Sequence, residues 1–286
     1  MPGRIAIVTD STASLPAELA EARGITVVPL QVVIGGTSYD EGAEGATPDA
    51  ISAALKQWTP VSTSRPTPAR MLEAYRALAA SGAKKILSIH LSADMSGTFE
   101  SAQLAAKDSP VPVTAVDTRQ VGIGTGFAVL TAADVLDEGG SVEQAAAAAL
   151  VRSAGTTSLF YVDTLEHIRR GGRMTAAAAI LGSALAVKPL LRIDDGRIEP
   201  FEKVRTAAKA LARLEELAVE AAGDQQVEVA VAHLASAERA AMLQEHLSRR
   251  LAANLGERPI SCGELGAVLG AHVGPGMVAV CVSPVL

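Results

Sequence analysis

Residues 85–116 are KILSIHLSADMSGTFESAQLAAKDSPVPVTAV, and the order of patterns in this stretch decides the fold class. Aliphatic runs at Lys85–Ile89 and Val111–Val116 each predict a buried strand. Between them, Ser96-Gly97-Thr98 precedes an alanine-rich pattern over Phe99–Ala106 that is typical of a helix. A strand, a helix and a second strand in this order predict a parallel sheet covered by helices.

The same alternation runs through the rest of the first half. The aliphatic runs Ile5–Thr9 and Ile25–Ile34 predict further strands. Thr47-Pro48 and Thr67-Pro68 predict helix N-termini, because a threonine hydroxyl caps a helix that a proline can begin. Ser141 and Gln144 form a capping-box pattern ahead of one more helix.

The second half has a different pattern, because a hairpin enters it. Leu190–Ile193 and Ile198–Phe201 flank an Asp-Gly step that is a strong hairpin signal. We therefore expect two domains, an N-terminal α/β domain over residues 1–155 and a C-terminal α+β domain over residues 156–286. The elements predicted after the hairpin are a helix over Thr206–Ala222, a strand over Val227–His233, a helix over Ser236–Ala253 and a final strand over Met277–Val282.

The composition narrows the class of protein. Of 286 residues, 49% are hydrophobic and only 3% are aromatic, and the formal net charge is −6. This apolar content excludes a disordered chain, and an acidic, aromatic-poor chain argues against binding of nucleic acid. Two cysteines, Cys262 and Cys281, form neither a zinc motif nor a disulfide framework, so we expect a cytoplasmic location.

The longest uncharged stretch, Leu265–Leu286, nominally reaches the length of a membrane span. Four glycines and Pro275 would break it as a helix and leave polar backbone groups in lipid. We therefore expect a buried turn that leads into the final strand, and no integral membrane segment.

Several common enzyme motifs are missing from the sequence. Gly122–Phe127, GIGTGF, lacks the last glycine of a dinucleotide fingerprint. The chain has no Walker-type phosphate loop, no His-Glu-x-x-His and no Gly-x-Ser-x-Gly elbow, and its five histidines lack metal-ligand spacing. No cofactor, metal site or catalytic residue is predicted.

Short polar clusters instead follow the predicted strands. They are Asp10-Ser11-Thr12, Thr63-Ser64-Arg65-Pro66 and Ser96-Gly97-Thr98. Ligands of open α/β sheets bind at the carboxyl ends of strands, where hydroxyls and helix N-termini suit a carboxylate or phosphate. The alternative is that these side chains only cap helices and turns.

A second polar set lies in the C-terminal half. His272 sits in an otherwise apolar stretch, so it is either a buried core histidine or a partner for an anion. Arg205 either pairs with Glu202 or Glu215 on a solvated face, or clamps an oxyanion from a cleft.

A basic run, DTLEHIRRGGR, occupies residues 163–173. Its arginines, Arg169, Arg170 and Arg173, indicate either a solvated loop or a surface for an acidic partner or a nucleotide phosphate. The uncharged stretch Met174–Val187 that follows has the length of a buried helix.

Taken together and in order, these stretches resemble the DegV family of bacterial fatty-acid-binding proteins. The similarity spreads over nearly the whole chain, from Val8 to Gly276, and the joint order is more specific than any single motif. The matching stretches are VTDSTASLP, TSRPTP, HLSADMSGTFESA, the DTLEHIRRGGRM run, KPLLRIDDGRIEPFEKVRTAAKAL and GAHVGPG.

The resemblance implies a two-domain α/β fold that holds a long-chain fatty acid in an apolar tunnel, with the carboxylate at the interdomain cleft. It also implies a partner, a fatty acid kinase that converts the bound carboxylate to an acyl phosphate in phospholipid synthesis. The chain itself would then carry no ATP site and would not be an enzyme. The ligand-binding residues that the resemblance implies are Thr63, Ser96, Gly97, Arg205 and His272, and we expect Arg169, Arg170 and Arg173 to dock the partner.

Two other functions remain open from the residues alone. A hydrolase could use Ser96 with His272 as its base, although no acidic residue is clearly placed to orient the histidine. A binding protein for another small anionic metabolite would need a wide polar cleft.

Overall fold

The computed structural model describes residues 4–174 and 188–286. The predicted helix over Met174–Val187 therefore lies, from residue 175 onward, outside the described residues. The chain divides into two compact units. Unit 1 comprises residues 1–31 and 64–154, and unit 2 comprises residues 32–63 and 155–286.

The described residues form strands and helices along their whole length, as predicted. The strands are β1 (Ile5–Asp10), β2 (Ile25–Val28), β3 (Gln31–Ile34), β4 (Thr37–Asp40), β5 (Val61–Ser64), β6 (Lys85–His90), β7 (Val113–Asp117), β8 (Thr157–Tyr161), β9 (Lys188–Asp194), β10 (Arg197–Val204), β11 (Val227–His233), β12 (Ser261–Glu264) and β13 (Val278–Pro284). The helices are α1 (Ala17–Ala22), α2 (Pro48–Lys56), α3 (Pro68–Ala80), α4 (Thr98–Lys107), α5 (Ile123–Asp137), α6 (Val142–Gly155), α7 (Glu166–Arg170), α8 (Ala207–Ala222), α9 (Ala237–Arg250), α10 (Ala252–Leu255) and α11 (Ala267–Val273).

Unit 1 is built on a parallel sheet in the order β2-β1-β6-β7. Alternate side chains of one strand face opposite sides of the sheet. Ile7 packs in a core with α5 and α6, and Val8 packs in a second core with Met71 and Tyr75 of α3. Helices thus cover both faces, which confirms the predicted α/β class and parallel sheet.

Unit 2 contains a six-stranded mixed sheet in the order β10-β9-β8-β13-β11-β12. All neighbouring strands pair antiparallel except β11 and β12. One face carries Val229 and Val231, which pack with Leu214 of α8 and Leu243 of α9. A separate three-stranded sheet has the order β4-β3-β5. The second sheet confirms the predicted α+β character of the C-terminal half.

The predicted hairpin is confirmed by the pairing of Arg197 with Asp194 across a two-residue turn. Asp195 and Gly196 both adopt positive φ, at 47° and 80°. This is the conformation that a tight hairpin turn requires and that Asp-Gly adopts at low cost.

Residues 32–63, which the predicted boundary includes in the N-terminal domain, belong to unit 2. The predicted strand Ile25–Ile34 is also two strands, because the chain leaves the unit 1 sheet after Val28 and enters the three-stranded sheet at Gln31. Pro29 lies at this break, where its missing N–H could not have continued a ladder of hydrogen bonds.

The stretch before the last strand differs from the prediction as well. We expected a turn after Leu265, but Ala267–Val273 forms the short helix α11. Gly270 of α11 packs closely, since a Cβ at this position would lie 3.2 Å from Leu234 and 3.5 Å from Ile51 of α2. Close tertiary packing thus stabilises a helix in a glycine-rich sequence. Within residues 4–174 and 188–286, no helix has the length and hydropathy that crossing a bilayer requires.

Candidate ligand-binding site

Thr63 is placed by the alternation of strand β5. Val61 and Thr63 are half-buried, whereas Ser62 and Ser64 are exposed, so the strand turns its two β-branched residues to the same side. The Thr63 hydroxyl lies 2.8 Å from Nε2 of His272. The structure therefore joins two of the predicted ligand-binding residues, which are 209 positions apart in sequence.

His272 lies in the last turn of α11, and glycines make room for its ring. A Cβ at Gly171 would lie 2.3 Å from Nδ1 of His272. The helix then ends at Gly274, whose φ of 74° favours glycine. Gly171 therefore allows the end of α7 to approach the His272 imidazole, and Gly274 leaves room for the ring of His167.

The protonation state of His272 follows from its surroundings. Burial, together with the positive charge of Arg173, lowers its pKa to about 4. The ring is therefore neutral at physiological pH and carries one N–H. The folded structure offsets the free-energy cost of burying this ring, and pKa values shifted in this way are common at functional sites.

The position of that proton follows from the hydrogen bonds. Nδ1 of His272 is buried and has no partner among the described residues. A buried N–H without an acceptor is rarer and costlier than an acceptor without a donor, so the proton is assigned to Nε2. Nε2–H then donates to Thr63 Oγ1, and the Thr63 hydroxyl keeps its own proton to donate elsewhere. An anionic oxygen is the acceptor that such a hydroxyl binds most strongly.

Thr63 and His272 line a cavity of about 360 Å³ within unit 2. Its wall combines two histidines, two arginines, one tryptophan and three hydroxyl side chains, which suits a ligand with an anionic group beside an apolar part. The lining residues are Leu55, Trp58, Thr59, Pro60, Val61, Ser62, Thr63, His167, Arg170, Gly171, Arg173, Ala271 and His272.

Two of the predicted docking arginines lie at this cavity. Arg170 is exposed, forms an ion pair of 2.6 Å with Glu166 and stacks 5.0 Å from the ring centre of Trp58. Arg173 is half-buried and donates to the carbonyl oxygen of Gly171. Arg169 is exposed and does not line the cavity.

Trp58 and His167 are among the cavity residues that were not predicted from the sequence. Trp58 is 66% exposed and has a φ of 58°, an unusual conformation for a bulky residue. His167, whose pKa is lowered by burial, faces Gly274 so closely that a Cβ there would lie 2.1 Å from its ring. The single tryptophan was visible in the sequence, but its backbone conformation was not.

Ser96 and Gly97 lie in unit 1, before α4. Ser96 Oγ hydrogen-bonds Thr98 Oγ1 at 2.9 Å, and the helix has no side-chain cap. Ser96 therefore does not cap the helix, its hydroxyl makes a local contact with Thr98, and its ligand role stays a prediction. Gly97 makes room for Arg65, because a Cβ would lie 1.5 Å from its guanidinium.

By contrast, the capping interpretation is confirmed for the first cluster. Asp10 accepts hydrogen bonds from the N–H and the hydroxyl of Thr12, and Ser11 Oγ accepts from the N–H of Leu30. Thr67, in the TSRPTP stretch, caps α3 by accepting from the N–H of Arg70.

Arg205 is exposed after β10 and makes no ion pair within the part of the chain that the structure describes. Both of its predicted acidic partners are bound to other residues, because Glu202 pairs with Arg213 and Glu215 pairs with Arg250. Arg205 is not among the residues that line the cavity.

A serine–histidine–aspartate arrangement does exist in unit 1, but with different residues from the predicted pair. Ser88 Oγ lies 2.7 Å from Nε2 of His90, and Nδ1 of His90 lies 2.9 Å from Asp10. All three side chains are fully buried, and Ser88 also hydrogen-bonds Tyr75. A nucleophile needs access to its substrate, so this buried network does not support the hydrolase alternative.

The chain matches a known family over almost its whole length. The family model described as an uncharacterised protein of the DegV family matches residues 4–285. A DegV domain-containing protein of Streptomyces coelicolor is 52% identical over 283 residues, which are 99% of each chain.

Solved structures are similar over almost the whole length. A DegV-family protein of Thermus thermophilus, described by its fatty acid binding, has a TM-score of 0.91 at 34% identity and covers 99% of this chain and 100% of its own. DegV of Bacillus subtilis, described as a fatty acid binding protein, has a TM-score of 0.89 at 34% identity, with the same coverage. The chain therefore belongs to the DegV family.

Proposed function

We propose that this protein binds a long-chain fatty acid and presents its carboxylate to a fatty acid kinase, which forms an acyl phosphate. The observation that carries the proposal is the hydrogen bond from neutral His272 to Thr63. It leaves one hydroxyl proton of Thr63 directed to an acceptor at a cavity that arginines line. Fatty acid binding by the Thermus and Bacillus relatives supports the identity of the ligand.

The acyl tail supplies most of the binding free energy. More than a dozen methylenes at about 0.8 kcal/mol each represent on the order of 10 kcal/mol of gross burial. Part of this is lost to the cost of association. The aliphatic, aromatic-poor composition suits a methylene chain, which needs no aromatic stacking surface.

The head-group residues distinguish an acid from its esters. A carboxylate can accept from the Thr63 hydroxyl and attract Arg173, whereas a methyl ester has no charge to offer. Ser96, Gly97 and Arg205 remain predicted head-group ligands on the strength of the family resemblance. Arg169, Arg170 and Arg173 remain the predicted docking residues for the kinase.

The first experiment identifies the ligand. Organic extraction of the purified protein and mass spectrometry should yield a long-chain fatty acid. Delipidated protein should then bind the free acid more tightly than its methyl ester. An extract without any acid, together with equal affinities for acid and ester, would contradict the proposal.

The second experiment tests presentation. With a purified fatty acid kinase and ATP, hydroxylamine trapping should detect acyl phosphate only when this protein is present. Acyl phosphate at the same rate without the protein would reduce its role to lipid binding. Ester turnover that disappears in Ser96→Ala would instead favour the hydrolase alternative.

A further inference from the structure

The helix that carries His272 has no cap from its own sequence. Helix α11 contains only seven residues, and its N-cap position is Gly266, which has no side chain to accept a hydrogen bond. A helix this short is not stable by itself, and its first N–H groups need partners from elsewhere.

Glu41 supplies that partner from a distant part of the chain. Its Oε1 accepts a hydrogen bond of 2.7 Å from the N–H of Val268, 227 positions away. Val268 is only 2% exposed, so water cannot easily replace the carboxylate. The negative charge also suits the positive end of the helix dipole.

Gly266 fits this contact by its size. A Cβ at this position would lie 2.3 Å from Oε1 of Glu41. Its φ of −61° is accessible to any residue, so the backbone does not require glycine. Space for the carboxylate is therefore the physical reason for a glycine here.

The other end of α11 is held by the same segment. Residues 32–63 contribute Glu41 at the start of the helix, Ile51 against Gly270 in its middle and Thr63 against His272 in its last turn. The position of the imidazole relative to the hydroxyl thus depends on contacts along the whole helix. At the N-terminal end of the helix, the contact is made by the single carboxylate of Glu41.

We propose that Glu41 is a positioning residue of the carboxylate site, which holds α11 so that His272 Nε2 stays in hydrogen-bond contact with Thr63. Glu41 contacts no ligand in this role and acts only through the helix. The expected effect on carboxylate binding rests on the proposed binding of a fatty acid, whereas the expected effect on the position of His272 does not.

The test compares Glu41→Ala, Glu41→Gln and Gly266→Ala with Ser141→Ala. A glutamine oxygen still accepts from Val268 N–H, so Glu41→Gln should behave nearly as the wild type. Ser141→Ala removes a cap of α6, a helix without predicted site residues, and controls for a general loss of stability. Gly266→Ala disturbs the same contact from the opposite side and serves as a second variant.

The first measurement is the pKa of His272 by NMR titration of its imidazole, which needs no ligand. The pKa should rise from about 4 toward the ordinary value of 6.5 in Glu41→Ala and Gly266→Ala, because the helix end loosens and admits water. It should stay unchanged in Glu41→Gln and Ser141→Ala. An unchanged pKa in both Glu41→Ala and Gly266→Ala would overturn the proposal.

The second measurement is the preference of the delipidated protein for a fatty acid over its methyl ester. In Glu41→Ala this preference should fall about tenfold, which is the equivalent of losing one hydrogen bond from Thr63 to the ligand carboxylate. In Glu41→Gln the preference should not fall. Gly266→Ala should add little to Glu41→Ala, because the clash is absent once the carboxylate is gone. Fully additive losses would contradict a shared contact. A wild type without any acid preference would reject the proposed function, while the titration would still decide the role of Glu41.

Discussion

The two units each contain a hydroxyl–imidazole hydrogen bond of similar length, and their surroundings differ. Ser88 and His90 in unit 1 are 2.7 Å apart, and Thr63 and His272 in unit 2 are 2.8 Å apart. The first pair is fully buried, whereas the second lines a cavity. Similar chemistry is therefore used once inside the core and once where a ligand can enter.

The buried pair is part of a complete chain of donors and acceptors. Asp10 can only accept, so Nδ1–H of His90 donates to it and Nε2 accepts from Ser88, which accepts in turn from Tyr75. Burial raises the pKa of Tyr75 to about 12, which keeps the phenol protonated as a donor. Since no donor or acceptor of this chain is left over, it stabilises the fold and offers nothing to a ligand.

The cavity pair leaves two hydrogen-bonding groups unpaired, of which the Thr63 hydroxyl is the donor. Nδ1 of His272 has no partner among the described residues, and the Thr63 hydroxyl has a proton to donate. Incomplete hydrogen bonding, more than the residue types themselves, distinguishes a candidate binding site from a structural network.

The largest expected effect is on the buried network. Asp10→Ala should lower the free energy of unfolding by roughly 3 kcal/mol or more, because it strands His90 and two backbone N–H groups in the core. Urea denaturation would measure the loss. A loss below that of Thr63→Val would refute the distinction between the two pairs.

The next effect concerns ligand affinity. Thr63→Val should weaken fatty acid binding about tenfold, the equivalent of one hydrogen bond to a charged group, and leave methyl ester binding unchanged. Thr63→Ser is the matched control, because it keeps the hydroxyl. Equal losses for acid and ester would mean that Thr63 contacts the tail or supports the fold.

A smaller effect is expected on the pH dependence of stability. The unfolded chain takes up a proton at His272 near pH 6.5, whereas the folded protein does so only near pH 4. The free energy of unfolding should therefore fall as the pH decreases through this window. His272→Gln, which keeps an Nε2 donor without a titratable ring, should reduce this fall. Denaturation of the wild type and of His272→Gln at neutral pH and near pH 4 gives the pH dependence of the free energy of unfolding for each. An identical pH dependence would contradict a lowered pKa of His272.

The smallest effect on stability is expected at the surface. Arg170→Ala removes an exposed ion pair with Glu166 and the contact with Trp58, and should change the free energy of unfolding by about 0.5 kcal/mol or less. Fatty acid affinity should stay unchanged, while kinase-dependent acyl phosphate formation should fall. A variant with normal phosphorylation would remove Arg170 from the predicted docking residues.

Local signals in the sequence predicted much of the secondary structure. The strand Val227–His233 has the predicted bounds, and Thr47 and Thr67 cap the helices that they were expected to cap. The predicted turn at Asp195-Gly196 is confirmed as well. In each case the residues that form the hydrogen bonds or the hydrophobic pattern are only a few positions apart in the sequence.

The errors have a common cause in long-range contacts. Residues 32–63 belong to unit 2, and no local pattern in the sequence shows that their helix packs against Gly270. Helix α11 was predicted as a turn, because its cap, Glu41, lies 227 positions away. Trp58 was not identified, because its positive φ is a property of the folded backbone.

The sequence by itself determined the alternation of strands and helices, the hairpin, and the residue types that resemble the DegV family. Only the tertiary structure decided that Thr63 and His272 share a hydrogen bond, and that Ser88 and His90 share another where no ligand reaches. The physical reason is that periodicity and capping depend on neighbours in sequence, whereas burial and unpaired hydrogen-bonding groups depend on every element packed around a side chain.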